Sequence, residues 1–437
     1  MRQQQSVSHY LKFAQFLWEN QYYKHATGVF EKSFDIDPKN PEILTHLAKS
    51  LENMNRLDEA ERYIRQGLRF APDDPQLNFF AAKLERRRGK LNTAIERLHR
   101  LTLNTLAPKL VQKIYFELGC LYDQIQDSEK AFLNFKKGNQ LAEIKAEKGA
   151  ITKEISIQKY NLMLNYINRQ SARAWPENDA QSTSRHFFLI GFPRSGTTLL
   201  EMVLDTHPQI KTAEETRAVF GIESYLSSLP DGFPNALDKL TTEDIRKIRR
   251  EYFKIIRKKI QLNPDHILVD KLPLNTLNIP HIMRIFPNAR FIFAVRHPCD
   301  VCLSCFMQNF RLNSYMAHFF TLADSVDFYV KIMEIWQKCV DVLSPDFYLI
   351  KYENLVCNFE NEVQDLFNYI GIEWNNSALR FFEHAHTREK IKTPSYQQVT
   401  RPIYREAIFR WHRYKIYLKP YMDILKPFIE YWKYPGE

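Results

Sequence analysis

Apolar positions in the first part of the chain follow helical spacing, and over roughly the first 145 residues the pattern repeats every 34 residues. Ala26, Ala60 and Ala94 stand 34 apart, and Ala131 follows after a three-residue insertion. Ala14, Ala48, Ala82 and Gly119 each lie twelve residues before them. Small side chains at fixed points of a helix–turn–helix let two antiparallel helices approach closely. Pro38 and Pro72 keep the same period, in Asp-Pro-Lys-Asn-Pro (37–41) and Ala-Pro-Asp-Asp-Pro (71–75), where they end one unit and begin the next. From about 144 to 184 the pattern predicts a further helix, with Ile155, Tyr160, Leu164 and Ile167 at helical spacing, and then the polar linker 174–184. Beyond the linker the texture changes to short apolar runs: His186–Ile190, Ile267–Asp270, Arg290–Val295 and Phe347–Lys351 are expected as strands. Helical stretches lie between them, notably Thr241–Ile260 and Ala323–Leu343, so a parallel sheet with right-handed crossovers is expected.

The period, the small residues and the prolines of the first part resemble the tetratricopeptide repeat (TPR) family, with about four units over residues 7–143. The expected fold class is therefore α followed by α/β. Residues 1–145 form an all-α TPR solenoid, 146–184 a connecting helix and linker, and 185–437 a P-loop-like parallel α/β domain. Such solenoids commonly hold peptides or other proteins, and the repeats could equally form a dimer interface.

Composition changes this picture little. Apolar residues make up 44% and charged residues 26% of 437, which suits globular structure without long disorder. The formal net charge of +10 suits an anionic ligand, but averaged over this length it is no nucleic-acid footprint. No apolar run approaches a membrane span, and Met1-Arg-Gln-Gln-Gln lacks the apolar core of a secretory signal. Six Cys fit a reducing compartment, so a cytoplasmic protein is expected. Cys299, Cys302 and Cys305 form C-x-x-C-x-x-C, but a fourth ligand at cluster spacing is missing, and the three are read as buried packing.

The chemistry concentrates at the first strand. His186–Ile190 runs into Gly191-Phe-Pro-Arg-Ser-Gly-Thr-Thr198 and then into an apolar helix, a strand–loop–helix whose loop can cradle an oxyanion. Gly191 and Gly196 permit tight backbone turns, and the amides of Ser195 to Thr198 would face a phosphate beside the positive helix end. The spacing resembles a nucleotide-triphosphate P-loop, but Thr197 stands where that motif requires Lys and the cation sits at Arg194. A kinase or NTPase is thus one alternative, poorly served by this loop. A second element, Arg290 to Ser304, delivers Arg296 at a strand end with Ser304 eight residues later, a fork and a hydroxyl for another phosphate.

Together these segments resemble the sulfotransferase family that uses 3′-phosphoadenosine 5′-phosphosulfate (PAPS). More closely they resemble its tyrosylprotein sulfotransferases and their bacterial TPR-containing relatives, through Pro193–Thr198, Leu204-Asp-Thr-His-Pro208 and Glu214-Glu-Thr-Arg217. The resemblance implies a PAPS donor bound by Gly191, Pro193, Arg194, Ser195, Gly196, Thr197, Thr198, Arg296, Ser304, Tyr352, Ser395 and Arg410. At 410 an Arg replaces the family's Lys. It implies Glu215 as general base, with Lys271 and Arg194 stabilising charge on the leaving oxygen, Arg217 holding the acceptor, and no metal. The acceptor is a hydroxyl, with a protein or peptide tyrosine among the candidates. The remaining alternative is a TPR scaffold whose α/β domain has lost activity, which an inaccessible Glu215 would favour.

Overall fold

The computed structural model describes residues 2–20, 22–169, 185–387 and 396–435. The chain divides into two compact units, one built on residues 1–145 and the other holding most of the remainder. Each is described separately.

The first unit consists of helix pairs. They are α1 (Arg2–Glu19) with α2 (Tyr23–Ile36), α3 (Pro41–Asn53) with α4 (Leu57–Phe70), α5 (Pro75–Arg87) with α6 (Leu91–His99), and α7 (Pro108–Gln124) with α8 (Ser128–Lys148). The proline motifs end one pair and begin the next: Pro38 and Pro72 follow the ends of α2 and α4. Pro41 and Pro75 occupy the first turns of α3 and α5, where a missing amide costs nothing. Asn40 caps α3 by accepting from the Glu42 amide at 3.0 Å, and Asp74 caps α5 by accepting from Leu77 at 2.8 Å. The phased small residues are the contact points: Ala14, Ala26, Ala60, Ala82, Ala94 and Ala131 are all 0% exposed. At Gly119 even a methyl is excluded, because a Cβ there would lie 2.6 Å from the Phe135 ring.

The long helix anticipated after the repeats is two helices. The first, α8, ends at Lys148, Ala150 turns the backbone at φ 51°, and α9 (Glu154–Arg169) begins a new segment. The linker predicted at 174–184 lies outside the described residues.

The second unit carries a parallel sheet of five strands in the order β2-β3-β1-β4-β5. Along the chain its elements are β1 (His186–Gly191), α10 (Thr197–Asp205), β2 (Ile210–Glu214), α11 (Ala218–Ser227), α12 (Thr242–Arg257) and β3 (Ile267–Lys271). Then come α13 (Ile279–Ile285), β4 (Arg290–Val295), α14 (Pro298–Phe306), α15 (Leu322–Leu343), β5 (Phe347–Lys351) and α16 (Tyr352–Cys357). The unit closes with α17 (Phe359–Ile370), α18 (Phe381–Thr387), α19 (Tyr396–Val399), α20 (Lys415–Leu418) and α21 (Met422–Tyr431). A helical solenoid followed by a parallel α/β domain is the class the periodicity anticipated. One strand was not anticipated. Ile-Lys-Thr-Ala-Glu at β2 is an edge strand with only two apolar positions, so it lacks the continuous apolar signature of buried parallel strands. Among the described residues no helix is long and apolar enough to cross a membrane.

Strand order decides where a ligand can sit. From β1 the chain moves to the β2–β3 side and then crosses to β4 and β5, so the loops after β1 and β4 diverge at the sheet's switch point. Within the core a polar chain joins His186, at the start of β1, to Asp270, one residue before the end of β3. The Tyr252 hydroxyl donates to Asp270 Oδ2 at 2.7 Å and lies 2.9 Å from His186 Nε2. Burial raises the Asp270 carboxyl to about 7, against an ordinary 3.8. Its folded-state value therefore lies above its unfolded one. The protonated form's stabilising contribution is fully present below the unfolded value and is lost as pH rises through about 7. Asp270→Asn escapes that loss. Its melting temperature should gain on the native chain by a few degrees between about pH 5 and about pH 8 in calorimetric scans.

Candidate active site

The loop between β1 and α10 is held by close backbone approach. Gly191 has φ 149°, and a Cβ there would lie 2.4 Å from the Ala294 carbonyl oxygen of β4. The Thr276 hydroxyl, just after β3, lies 3.2 Å from the Gly191 amide and 2.9 Å from its carbonyl. Gly196, at φ 93°, begins α10, and a Cβ there would meet Tyr352 Cδ2 at 2.8 Å. Between the two glycines Arg194 takes φ 72°, a conformation an L-residue adopts only when its surroundings enforce it. The result is a strained turn leading into α10, in which the Ser195 amide, expected to face a phosphate, donates instead to the Phe192 carbonyl at 3.2 Å. Pro193, Ser195, Thr197 and Thr198 are buried around it.

Three guanidinium groups converge on this turn. Arg194 Nε donates to Ser304 Oγ at 3.1 Å and Nη2 to Gln398 Oε1 at 3.0 Å. Burial holds its guanidinium below the ordinary value, and the positive charges of Arg296 and Arg410 push the same way. From the end of β4, Arg296 directs Nη1 to the Arg194 carbonyl at 3.4 Å and Nη2 to the Ala407 carbonyl. Its guanidinium lies 4.8 Å from the centre of the Tyr352 ring. The Nε of Arg296 is buried with no hydrogen-bond partner among the described residues. Asp300, one turn into α14, stands 3.8 Å from Arg296 Nη2 but also accepts the Trp411 amide at 2.8 Å. Burial raises its carboxyl despite the nearby arginine. The cluster is thus short of negative charge, and this is the condition under which an anionic ligand gains most.

About the ends of β2 and β3 lies a second, smaller assembly. Lys271 is 0% exposed, and its Nζ lies 2.9 Å from Glu201 Oε2 and 3.2 Å from Glu215 Oε1. Burial pulls the ammonium down, yet Glu201, Glu215 and Glu214 together outweigh that and hold it above its ordinary value, so it stays cationic. Glu201 is fully buried, whereas the Glu215 side chain is 37% exposed. Glu214 pairs with Lys271 across the parallel ladder. Glu215 then leaves the strand in a left-handed conformation, φ 45°, while its amide donates to the Lys271 carbonyl at 2.8 Å. That kink turns the carboxylate back toward the ammonium. Register is fixed from behind by Asp205, which accepts from the Thr212 amide and hydroxyl at 3.2 and 2.9 Å and meets His384 Nε2 at 2.7 Å.

The sequence-predicted residues therefore fall into two neighbouring groups on the second unit. Gly191, Pro193, Arg194, Ser195, Gly196, Thr197, Thr198, Arg296, Ser304, Tyr352 and Arg410 gather around the turn. Lys271 and Glu215 meet beside it, because Glu201 belongs to the same helix that the turn begins. Arg217, at the start of α11, is exposed and forms no ion pair with Glu214 or Glu215 among the described residues. Ser395 lies outside the described residues. Three contributors were not anticipated: Glu201, Gln398 and Thr276. Glu201 could have been suspected from a lone carboxylate in the otherwise apolar run Leu199-Leu-Glu-Met-Val-Leu204. Cys299, Cys302 and Cys305 are buried, and Cys305 Sγ lies 3.4 Å from the Pro193 carbonyl, beneath the turn.

Comparison with known proteins places these features. Residues 186–376 match the model of the sulfotransferase family, and residues 17–84 and 112–144 match tetratricopeptide repeats. An uncharacterized protein of Aquifex aeolicus is 25% identical over 436 residues, covering 96% of this chain and 54% of that protein. The protein-tyrosine sulfotransferase of Drosophila melanogaster is 24% identical over 234 residues, covering 51% of this chain and 46% of that protein. Among solved structures, the sulfotransferase domain from the Synechococcus PCC 7002 olefin synthase is 20% identical with a TM-score of 0.36, covering 55% of this chain and 91% of that one. The chain spans about half the length of the curated relatives it matches first.

The buried ion triad makes a testable demand on stability. Lys271→Met strands the Glu201 carboxylate in the core and should cost about 3–5 kcal/mol in urea unfolding. Adding Glu201→Leu to that variant should recover most of the loss, since an apolar pair needs no counter-charge.

Proposed function

We propose that this chain, whose C-terminal half carries a sulfotransferase-family domain behind tetratricopeptide repeats, moves a sulfuryl group from PAPS to an acceptor hydroxyl. The observation that carries the reading is the contact of Lys271 Nζ with Glu215 Oε1 at 3.2 Å beside an arginine-lined anion turn. The turn suits the donor's two anionic ends. Gly191 and Gly196 leave room for close approach, the amides at the start of α10 and Arg194 suit the 5′-phosphosulfate, and Arg296 with Ser304 suits the 3′-phosphate. The partnerless Nε of Arg296 is a donor in want of such an acceptor. Tyr352, Arg410 and Ser395 would complete the nucleotide's surroundings.

When bound, the donor supplies the sulfuryl group and leaves as adenosine 3′,5′-bisphosphate with the electron pair of the broken sulfur–oxygen bond. The chain's own residues do the rest. Glu215 is open to solvent on one side, so an acceptor O–H can reach it and pass its proton to the carboxylate as the oxygen bonds to sulfur. Protonation of Glu215 removes one of the two carboxylates touching Lys271. The ammonium keeps Glu201 and is otherwise free to face negative charge growing on the leaving oxygen, with Arg194 beside it. Glu201 is the residue that holds Lys271 in place throughout. Arg217, exposed at the start of α11, would meet an anionic group on the acceptor. The exposure of Glu215 favours this reading over that of an inactive scaffold, and Thr197 in the place of a P-loop lysine speaks against a kinase or NTPase. A protein or peptide tyrosine fits the similarity to protein-tyrosine sulfotransferases and the presence of repeats that commonly hold peptides.

Adenosine 3′,5′-bisphosphate at about a hundred times its Kd should stabilise the protein by about 2.7 kcal/mol, read as a raised melting temperature, and Arg296→Ala should remove most of the shift. No shift at saturating nucleotide would overturn the donor assignment. With sulfur-labelled PAPS and a cell lysate, Glu215→Ala should abolish label incorporation while the nucleotide still raises its melting temperature. Full activity in that variant would show that another group takes the proton.

A further inference from the structure

The arginines about the anion turn are crossed by a piece of chain from near the end of the sequence. Beyond α19 the backbone runs back over the junction of β4 and α14, and residues 407–411 are fastened there. The Ala407 carbonyl accepts from Arg296 Nη2. The Trp411 amide donates to Asp300 Oδ1 at 2.8 Å, and the Phe409 backbone bonds to the same carboxylate. The Trp411 ring stacks on His297, with centroids 5.2 Å apart and planes 12° from parallel, and the Phe409 ring meets that imidazole edge-on at 5.6 Å. Phe409 takes φ 49° immediately before Arg410, and a short 3₁₀ turn, Arg410–Tyr414, starts there.

Asp300 divides its two oxygens between unlike neighbours. Its side chain is fully buried, and while Oδ1 holds the Trp411 amide, Oδ2 has no hydrogen-bond partner among the described residues and stands 3.8 Å from Arg296 Nη2. A buried aspartate beside an arginine ordinarily forms a close, forked pair. Here Arg296 gives Nη2 to the Ala407 carbonyl instead, and the carboxylate turns to free amides at the start of the 3₁₀ turn, as a capping side chain does. A neutral side-chain amide could make the same cap. A carboxylate adds negative charge beside a guanidinium that suits a phosphate, and that charge opposes an anion entering there.

We propose that Asp300 is a positioning residue for the donor nucleotide, with two effects of opposite sign. Through the backbone on either side of Arg410 it fastens that cation at the anion turn. Through its charge it limits how tightly Arg296 and Arg410 hold the bisphosphate, which must leave before another donor can enter. The left-handed backbone at Phe409 is why a fastening is needed: freed from Asp300, residue 409 returns to an ordinary conformation and carries Arg410 away. This role rests on the donor reading, since both effects act on a bound bisphosphate.

Titration calorimetry of the full chain with adenosine 3′,5′-bisphosphate separates the two effects. Asp300→Asn keeps an oxygen for the Trp411 amide and drops the charge, so it should bind the nucleotide about threefold more tightly than the native chain. Asp300→Ala is equally neutral but has no acceptor, so it should bind about tenfold more weakly than Asp300→Asn. Arg410→Gln should then weaken Asp300→Asn by about tenfold and Asp300→Ala by less than about twofold, because in the latter Arg410 is already displaced. General loosening of the fold would produce neither the gain in the Asn chain nor this non-additivity. Melting without nucleotide shows that each chain is folded at the assay temperature, and Asp300→Leu, which fills the space, replaces Asp300→Ala if that chain is not. The proposal is overturned if Asp300→Asn binds no more tightly than native, if the Asn and Ala chains bind alike, or if Arg410→Gln costs the same in both. Absence of binding by the native chain overturns the donor reading and this role with it, whereas native binding that both substitutions leave unaltered overturns this role alone.

Discussion

Most of the second unit's functional geometry depends on one buried ammonium. Lys271 is removed from water at the end of a central strand, and a lone charge there would be prohibitively costly. Two carboxylates meet it, and they come from different elements: Glu201 from α10 and Glu215 from the turn after β2. Satisfying the ammonium therefore pins the helix that the anion turn begins to the end of the edge strand that Glu215 follows. The strained backbone at Glu215 is held by the same constraint, through its amide on the Lys271 carbonyl and its side chain on Nζ. The anion turn and the Glu215 carboxylate are thus placed relative to each other by an electrostatic requirement of the core.

The arginines follow the opposite rule. Among the contacts that hold them, Arg194 donates to a hydroxyl and an amide oxygen, and Arg296 to two backbone carbonyls, with the single carboxylate of Asp300 farther off at 3.8 Å. Neutral acceptors position a guanidinium without cancelling its charge. Had carboxylates done this work, an incoming anion would have to displace them. Lys271 meets two carboxylates, at 2.9 and 3.2 Å, whereas the arginines rest mostly on neutral acceptors and keep most of their charge.

How far this was legible from sequence depended on whether a signal was local. The repeat showed itself because each small residue answers a contact recurring at the same point of every helix pair, as the buried alanines and the Phe135 ring against Gly119 demonstrate. The central strands were visible as apolar runs, and the anion turn was visible because its glycines, arginine and helix start are contiguous. Residues whose role exists only after long-range packing were hidden. Glu201 looks like any helical glutamate until α10 lies against β3, and Gln398 sits some 200 residues from the arginine it meets. The edge strand β2 escaped because three of its five side chains are polar. The break after Lys148 escaped because Ala150 carries no sign of the positive φ it adopts.

A formal charge of +10 over 437 residues is a weak average, and the two units show why the average informs so little. In the second unit, the arginines around one strained turn rest on a hydroxyl, an amide oxygen and two backbone carbonyls, with one carboxylate, Asp300, 3.8 Å from Arg296. In the first, Lys83 and Arg86 meet Glu52 and Glu117 across neighbouring helices, while Lys49 and Lys113 stay half-buried without an ion pair among the described residues. What separates the two sets of cations is the company each keeps, which a sum over the chain does not record.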